Sequence, residues 1–334
     1  MQKSDLQWLW PSLFLTSLVG AVSTLLMYVV RFTNSPDPSS LTSWFGWMVM
    51  ASGVAITVYV VKLMIAGKER PSAILAENLR AHWRRYVAMG IGATLAGFDL
   101  YFFMILKPEL DVLFPFWADP HLANIDHWIF GTDPWRLFTG WNLVIVSWLY
   151  SPFWFFSVLL TFFWLLLKPP STQKSTAIIA YFAIWSVFGP VGQALLSSGG
   201  PIFYERLAFG PRFAEMPIPP VVQILSDYLW TAYHGRSLAV GAGISAMPSL
   251  HIASMTWLTM TFAIYRSRWT IPALLLTLFI YAGSIALGWH YATDGLVGAA
   301  GAACCFYAAG LYLAAASRLS SPRKPFGATA EPVG

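Results

Sequence analysis

The chain has 334 residues, of which 57% are hydrophobic, 16% aromatic and only 10% charged. This composition excludes an ordinary soluble domain of this length and predicts an integral membrane protein with several spans. The net charge of +5 does not indicate nucleic-acid binding, because the basic residues are dispersed and mostly flank apolar segments.

Apolar segments long enough for membrane helices recur along the whole chain. A hydrocarbon core about 30 Å thick needs roughly 20 residues of helix. Eight segments meet this criterion, near 11–30, 44–66, 86–106, 139–167, 175–194, 250–265, 270–288 and 293–315. Ser151-Pro152 interrupts the fourth, so we expect either one bent span or an interfacial helix that leads into a span. The sequence predicts an all-α integral membrane protein with about eight transmembrane helices.

These segments suggest three parts in chain order. Residues 1–85 hold two N-terminal transmembrane helices and a basic cytoplasmic loop, and residues 86–315 hold six helices with outer loops at 107–137 and 195–249. Residues 316–334 are polar and rich in Pro and Gly, so we expect a disordered cytoplasmic tail.

Positive charge divides unevenly between the two faces that eight alternating spans create. The face opposite the termini holds only six of the 20 Lys and Arg residues, namely Arg31, Lys107, Arg136, Arg206, Arg212 and Arg236. Because cytoplasmic loops carry the excess of Lys and Arg, we expect both termini to be cytoplasmic, in a plasma or inner membrane. The outer loops then lie on the extracytoplasmic or lumenal face.

The sixth span opens with Pro248-Ser249-Leu250-His251. Proline suits the first turn of a helix, and Ser249 is placed either to cap the helix or to reach a ligand. The free N–H groups of such a helix start attract anions. His251 lies in that first turn, where an imidazole can protonate a departing alkoxide near neutral pH.

The eighth span opens with His290-Tyr291-Ala292-Thr293-Asp294. His290 and Asp294 are four positions apart, so on a helix they share a face and the carboxylate can hold one ring nitrogen as N–H. The other nitrogen is then free to attack phosphorus. A single histidine at a membrane interface is more often an anchor, but two at helix mouths on one face favour phosphoryl transfer, with His290 as the nucleophile.

These two motifs resemble those of the type 2 phosphatidic acid phosphatase and vanadium haloperoxidase superfamily. The closest likeness is to the branch of inositol phosphorylceramide synthases, which reads Pro-Ser-Leu-His and His-Tyr-x-x-Asp. Asp126-x-Trp128 and then Asp133-Pro134-Trp135 also resemble an early loop of that branch. The resemblance covers roughly residues 86–315 and implies a six-helix catalytic core, to which the first two spans are an addition.

The resemblance also implies roles for individual residues. His251 is the acid, His290 forms a phosphohistidine, Asp294 supports it and Ser249 contacts the phosphate. No metal or other cofactor is implied. From the residues alone we expect Asp126 and its aromatic loop to anchor at the interface, with lining of a lipid access route left open.

Two departures from the superfamily pattern concern the phosphate site. The arginine that usually stands six residues before the third-motif histidine is Ser284 here, and the first motif, a lysine followed seven residues later by Arg-Pro, is absent from its loop. A phosphoryl group needs positive charge near its equatorial oxygens, so Arg206 and Arg212 are the predicted substitutes, with Arg236 as a third candidate.

The predicted function is transfer of a phospho-headgroup, such as phosphoinositol, from a phospholipid donor to a lipid alcohol, as in sphingolipid synthesis. Hydrolysis by water of a phosphatidic acid-like or polyprenyl phosphate lipid is the alternative. A non-enzymatic lipid or anion transporter is a remote one, because such proteins place ionisable groups near the bilayer midplane. The partners expected are the lipids and the bilayer, and the sequence leaves the oligomeric state open.

Overall fold

The computed structural model describes residues 3–320, which form twelve α-helices and no β-strand. The helices are α1 (Lys3–Val29), α2 (Ser39–Ile65), α3 (Pro71–Ala81), α4 (Trp83–Leu113), α5 (Asp119–Phe130), α6 (Leu143–Leu167), α7 (Thr172–Ala183), α8 (Gly189–Leu195), α9 (Pro220–His234), α10 (Leu250–Ile264), α11 (Thr270–Ala286) and α12 (Ala292–Ser320). A π-helical turn, Ile184–Phe188, joins α7 to α8 in one continuous span. The all-helical membrane fold predicted from the sequence is confirmed.

Six helical segments are long and apolar enough to cross a membrane, and two further apolar helices, α10 and α11, are shorter. All eight predicted segments are therefore helical, but not all have full spanning length. The reason is visible at α10, whose first turn places His251 beside Tyr150 and Trp154. These residues lie about 10–16 Å along α6 from its start, at 1.5 Å per residue. Helix α10 thus begins within the bundle rather than at its outer edge.

Three predicted boundaries need correction. Helix α6 continues through Pro152 as a single helix. Helix α4 continues through Pro108 to Leu113, so the beginning of the predicted outer loop 107–137 is helical. Helix α12 extends to Ser320, which makes the start of the predicted tail 316–334 helical, and residues 321–334 lie outside the described residues.

Close helix packing brings the mouths of α10 and α12 together. Gly298 of α12 lies against the backbone of α10, where a Cβ would overlap the carbonyl oxygen of Ser249. One turn further on, Gly301 lies against the ring of Phe188 in the π-helical turn. Small residues at such contacts let helix backbones approach closely. The packing fixes the start of α10 beside the start of α12.

The first two helices pack directly against the rest of the bundle. Helix α1 lies along α4 and α7, with Trp8 and Val19 fully buried. Helix α2 packs on α4, where the indole N–H of Trp44 donates to the carbonyl oxygen of Ala93 at 2.8 Å. The separation of residues 1–85 from a core at 86–315 stays a prediction, and these contacts show that the two parts share one packed interior.

Candidate active site

Two histidines face each other at the beginnings of α10 and α12. Nε2 of His290 lies 3.4 Å from Nδ1 of His251, and the ring centroids are 5.6 Å apart. The rings of Tyr150 and Trp154 pack against His251 at centroid distances of 5.2 and 4.3 Å. The fold therefore brings together two candidate residues that are 39 positions apart in the chain.

A backbone carbonyl fixes the tautomer of His290. Nδ1 lies 2.8 Å from the carbonyl oxygen of Ala246, and because that oxygen can only accept, Nδ1 carries the proton. Nε2 then has a free electron pair directed at His251. The sequence predicted Asp294 as the group that holds this proton, but its Oδ2 is farther from Nδ1, at 3.5 Å. The carbonyl is the nearer acceptor, and the carboxylate is a second, electrostatic partner.

Asp294 ties the two histidine segments to each other. Its Oδ2 accepts a hydrogen bond from the backbone N–H of Tyr291 at 2.8 Å, and its backbone carbonyl accepts one from Ser249 at 3.1 Å. The side chain is fully buried, and its Oδ1 has no hydrogen-bond partner among residues 3–320. The carboxylate lies beside Nδ1 of His290, where a negative charge can stabilise a positive charge on the imidazole ring.

The start of α12 is occupied by a carboxylate from α5. Asp126 accepts hydrogen bonds from the backbone N–H groups of Ala292 and Thr293 at 2.6 and 2.9 Å. A negative side chain is well placed there, because the first N–H groups of a helix lack partners and carry partial positive charge. Asp126 is buried, so our expectation that it anchors at the membrane interface is wrong. It positions the segment that follows His290.

A second carboxylate of α5 supports the same segment. Asp119 accepts hydrogen bonds from the hydroxyl of Tyr291 at 2.9 Å and from the backbone N–H groups of Gly199 and Gly200 at 2.9 and 2.8 Å. Burial raises the pKa of Asp119 to about 6, and these three donors act against that rise. Sequence analysis gave no role to Asp119, because a carboxylate in an aromatic loop does not reveal which distant backbone it binds.

Ser249 caps α10 and is fully buried. Its hydroxyl oxygen accepts a hydrogen bond from the backbone N–H of Ile252 at 3.4 Å. This is the capping alternative of the sequence analysis. Ser249 does not line the cavity described below, so its contact with phosphate stays a prediction that the cavity does not support.

The predicted arginines are bound elsewhere on the outer surface. Arg206 pairs with Asp227 of α9, and Arg212 donates two hydrogen bonds to Asp133 at 3.1 and 2.6 Å. Neither arginine, nor Arg236, lines the cavity at the histidines. Their role in phosphate binding stays a prediction without support from their positions.

A cavity of about 290 Å³ extends from His251 and His290 into the helix bundle. Its walls come from α2, α4, α6, α7, the π-helical turn, α8 and the segment before α10, and they are mostly apolar. The aromatic residues that line it are Trp44, Phe103, Trp154, Phe155, Tyr181 and Trp185. From Lys107 to Leu100 along α4 the cavity covers about 10 Å of helix, at 1.5 Å per residue. Its shape and lining suit an apolar chain below a polar head.

Lys107 is the one charged residue besides the histidines among the described residues that line this cavity. Sequence analysis missed it because Pro108 and the carboxylates after it favoured a loop, and a loop lysine has no defined direction. The signal that could have found it is the apolar spacing of Leu106, Leu110 and Leu113, which continues the helical pattern past the proline.

The histidine pair has the elements of a nucleophile and an acid, but not yet their reactive spacing. In phosphoryl transfer the attacking and leaving groups lie roughly in line on opposite sides of phosphorus, with the attacking atom about 3 Å away. The acid at the leaving oxygen is then farther from the nucleophile than the observed 3.4 Å. The rings must therefore separate when a phosphoryl group enters between them.

Comparison with known families gives one match. The family model of the PAP2 superfamily matches residues 122–308, more than half of the chain. The matched range begins within α5 and includes His251, His290 and Asp294, and it leaves out α1, α2 and α4. No curated protein and no solved structure matches the chain.

Proposed function

Since the chain belongs to the PAP2 superfamily, we propose that it is a membrane phosphotransferase that moves a phospho-headgroup between lipids through a phosphohistidine at His290. Membership itself supports phosphoester chemistry on lipids, which includes phosphatases and phosphotransferases. The finer assignment, to phosphoinositol transfer onto a ceramide-like alcohol, rests on the Pro-Ser-Leu-His and His-Tyr-x-x-Asp motifs.

One observation carries this proposal. Nδ1 of His290 is engaged by the carbonyl oxygen of Ala246, and Nε2 faces Nδ1 of His251 at 3.4 Å beside an apolar cavity inside the bundle. An unprotonated imidazole nitrogen is a nucleophile, and a second imidazole beside it supplies a proton donor. The cavity gives a lipid chain a place directly below them.

The reaction proceeds in two displacements. In the first, Nε2 of His290 forms a bond to phosphorus, the bond from phosphorus to the lipid oxygen breaks, and His251 gives its proton to that oxygen. In the second, His251 takes the proton from an incoming hydroxyl, the new oxygen forms its bond to phosphorus, and the nitrogen–phosphorus bond breaks. Asp294 stabilises the positive His290 ring between the two steps.

The lining of the cavity favours an alcohol over water as the acceptor. Aromatic and aliphatic side chains form most of its wall, and they offer few hydrogen bonds to hold water next to the intermediate. A lipid alcohol brings its own apolar chain into the same cavity after the first product leaves. Transfer rather than hydrolysis is then the faster second step.

We also propose the placement in the membrane that the charge distribution predicts. Both termini are cytoplasmic, and the histidine pair opens toward the extracytoplasmic or lumenal face, in a plasma or inner membrane. A membrane-impermeant thiol reagent applied to intact cells tests this orientation, with a single cysteine placed at Ser39 or at Ser320 after Cys304 and Cys305 are replaced by serine. We expect the reagent to label the cysteine at position 39 and not the one at position 320.

Headgroup transfer by purified protein tests the function. Phospholipids of several headgroup classes are incubated with and without a ceramide-like alcohol, and the products are identified by mass spectrometry. We expect a new headgroup–lipid product that requires the alcohol, and complete loss of turnover in His290→Ala. His121→Ala, an exposed histidine on α5, is the matched control and should keep full activity.

The same experiment separates the alternatives. Headgroup or phosphate release that does not depend on the alcohol would indicate a lipid phosphate phosphatase. Lipid binding or movement without any product, by protein with intact histidines, would indicate a transporter and would contradict the proposed function.

A further inference from the structure

Lys107 places an ammonium group in the cavity from a helix that lies outside the matched family range. It projects from α4, whereas the PAP2 match begins at residue 122 within α5. The cations of the two superfamily motifs described above do not stand at their usual positions in this sequence. The chain therefore presents its positive charge to the cavity from a different element.

The surroundings of Lys107 hold its stem and leave its ammonium group without a salt bridge in the described part of the chain, while Asp111 interacts with it electrostatically. Gly243 lies so close to α4 that a Cβ there would come within 2.9 Å of Cγ of Lys107. Asp111, one turn along the helix, is the nearest counter-ion, but its oxygens accept hydrogen bonds from Gln193 and from the backbone N–H of Ile244. No salt bridge joins Asp111 to Lys107 in the described part of the chain.

An unpaired ammonium group in apolar surroundings is costly unless an anion accompanies it. The lining of this cavity contains no carboxylate among the residues described, so an anion that contacts the ammonium group inside the cavity has to belong to a ligand. The ammonium group also interacts electrostatically with His251, and the proposed reaction places phosphorus beside that histidine.

We propose that Lys107 binds the phosphate of the donor lipid, and that a site with one lysine and no arginine among its described residues is selective for a singly charged phosphodiester over a doubly charged phosphomonoester. The inference rests on the proposed function. A phosphomonoester has a second pKa near 6 and carries close to two negative charges at neutral pH, whereas a phosphodiester carries one. Lys107 attracts both ligands, while the second negative charge of the monoester is repelled by the carboxylates of Asp111 and Asp294.

Binding of two non-cleavable probes tests this inference without depending on turnover. Hexadecylphosphonate and its monomethyl ester differ by one charge at a pH where the former is fully ionised, and both carry the same apolar chain. Radiolabelled probes are bound to purified full-length protein in nanodiscs. We expect the singly charged ester to bind at least about tenfold more tightly, which corresponds to about 1.4 kcal/mol.

Variants at Lys107 identify the cation. Lys107→Met and Lys107→Gln should each weaken binding of the ester about tenfold or more, while Lys107→Arg keeps most of it. Lys62→Met, an exposed lysine on α2 away from the cavity, is the matched control and should bind as the wild type does. The thermal midpoints of all variants show whether a variant that has lost binding is still folded. Lys107→Gln keeps a polar group at the end of the side chain, so it is the replacement that disturbs folding least.

The outcomes distinguish this inference from the proposed function. Equal or tighter binding of the doubly charged probe, or unchanged binding in the folded Lys107 variants, would overturn the inference even if turnover depends on His290. A loss in Arg206→Met without a loss in Lys107→Met would overturn it as well. Charge-selective binding that depends on Lys107, in a protein with no turnover, would support it and contradict the proposed function.

Discussion

The mouths of α10 and α12 each present a histidine, but they hold it in different ways. At α12 the helix start is filled by Asp126, and His290 is fixed by the Ala246 carbonyl. At α10 the helix start lines the cavity, and the His251 side chain packs against the rings of Tyr150 and Trp154 and faces His290. This difference agrees with the proposed roles, in which His290 is a fixed nucleophile and His251 is an acid that moves when substrate enters.

The largest change in turnover is expected when the acid is removed, and the leaving group of the donor shows whether His251 is that acid. Replacement of the acid, His251→Ala, should slow turnover of an ordinary lipid phosphodiester by about 100- to 10,000-fold, the usual contribution of a general acid. A donor that releases 4-nitrophenolate needs no proton, so its first step should recover most of this loss. Burst kinetics of 4-nitrophenol release measure that step directly.

The nucleophile variant provides the contrast. His290→Ala should show no burst with either donor, since no leaving group replaces the attacking nitrogen. If the 4-nitrophenyl donor restored turnover in His290→Ala, or failed to restore it in His251→Ala, the assignment of His290 as nucleophile and His251 as acid would be contradicted.

The second test concerns the start of α12, which Asp126 holds in place. Asp126→Ala leaves the N–H groups of Ala292 and Thr293 without an acceptor in buried surroundings, so we expect a loss of about 2–6 kcal/mol of stability at roughly 1–3 kcal/mol per group. Thermal unfolding in detergent micelles measures the change. A loss below about 1 kcal/mol would mean that α12 does not depend on this carboxylate.

A pH series tests Asp119, the second carboxylate that supports the segment at the start of α12. The pKa of Asp119 rises on folding from 3.8 to about 6 because of burial. Its stabilising contribution is therefore complete below pH 4 and is lost as the pH rises through about 6, with a total of about 3 kcal/mol at 1.36 kcal/mol per pKa unit. In Asp119→Asn the thermal midpoint should decline less over this range.

The exposed Asp227 is the matched control for the pH series. Hydrogen bonds from Arg206 lower the pKa of Asp227, so its contribution is present above the unfolded pKa and is lost as the pH falls. Asp227→Asn should alter the pH dependence in the opposite sense. A pH profile of Asp119→Asn identical to that of the wild type would rule out Asp119 as the titrating group.

The smallest effect on stability is expected at the start of α10. Ser249→Ala removes the cap of α10 and should cost about 1 kcal/mol of stability, with little change in KM for the lipid donor. Steady-state kinetics and thermal unfolding of the same preparation measure both quantities. A large rise in KM at nearly unchanged stability would instead support the contact with phosphate that the sequence predicted.

The sequence predicted what depends on local pattern. Apolar segment lengths located the membrane helices, and the two histidine motifs located residues that the fold brings within contact distance. The capping role of Ser249 is one of the two alternatives that its position before α10 left open. These features depend on periodicity and on residue order, which a single sequence displays.

The sequence could not show which residues far apart in the chain become partners in the fold. The acceptor for His290 is a backbone carbonyl 44 residues away, and a carbonyl leaves no trace in side-chain chemistry. Arg206 and Arg212 suited a phosphate by charge, but acidic partners on neighbouring elements bind them. Lys107 was hidden because the helical pattern of α4 continues through a proline that favoured a loop.

The most direct test of the central claim is to trap the covalent intermediate. Wild-type protein and the His290→Ala and His251→Ala variants are mixed with a headgroup-labelled donor without acceptor, quenched in base and digested for mass spectrometry. We expect a phospho-headgroup on His290 of the wild type, none in His290→Ala, and a slowly formed adduct on His290 in His251→Ala. An adduct on His251, or turnover of the labelled donor in His290→Ala, would contradict that claim.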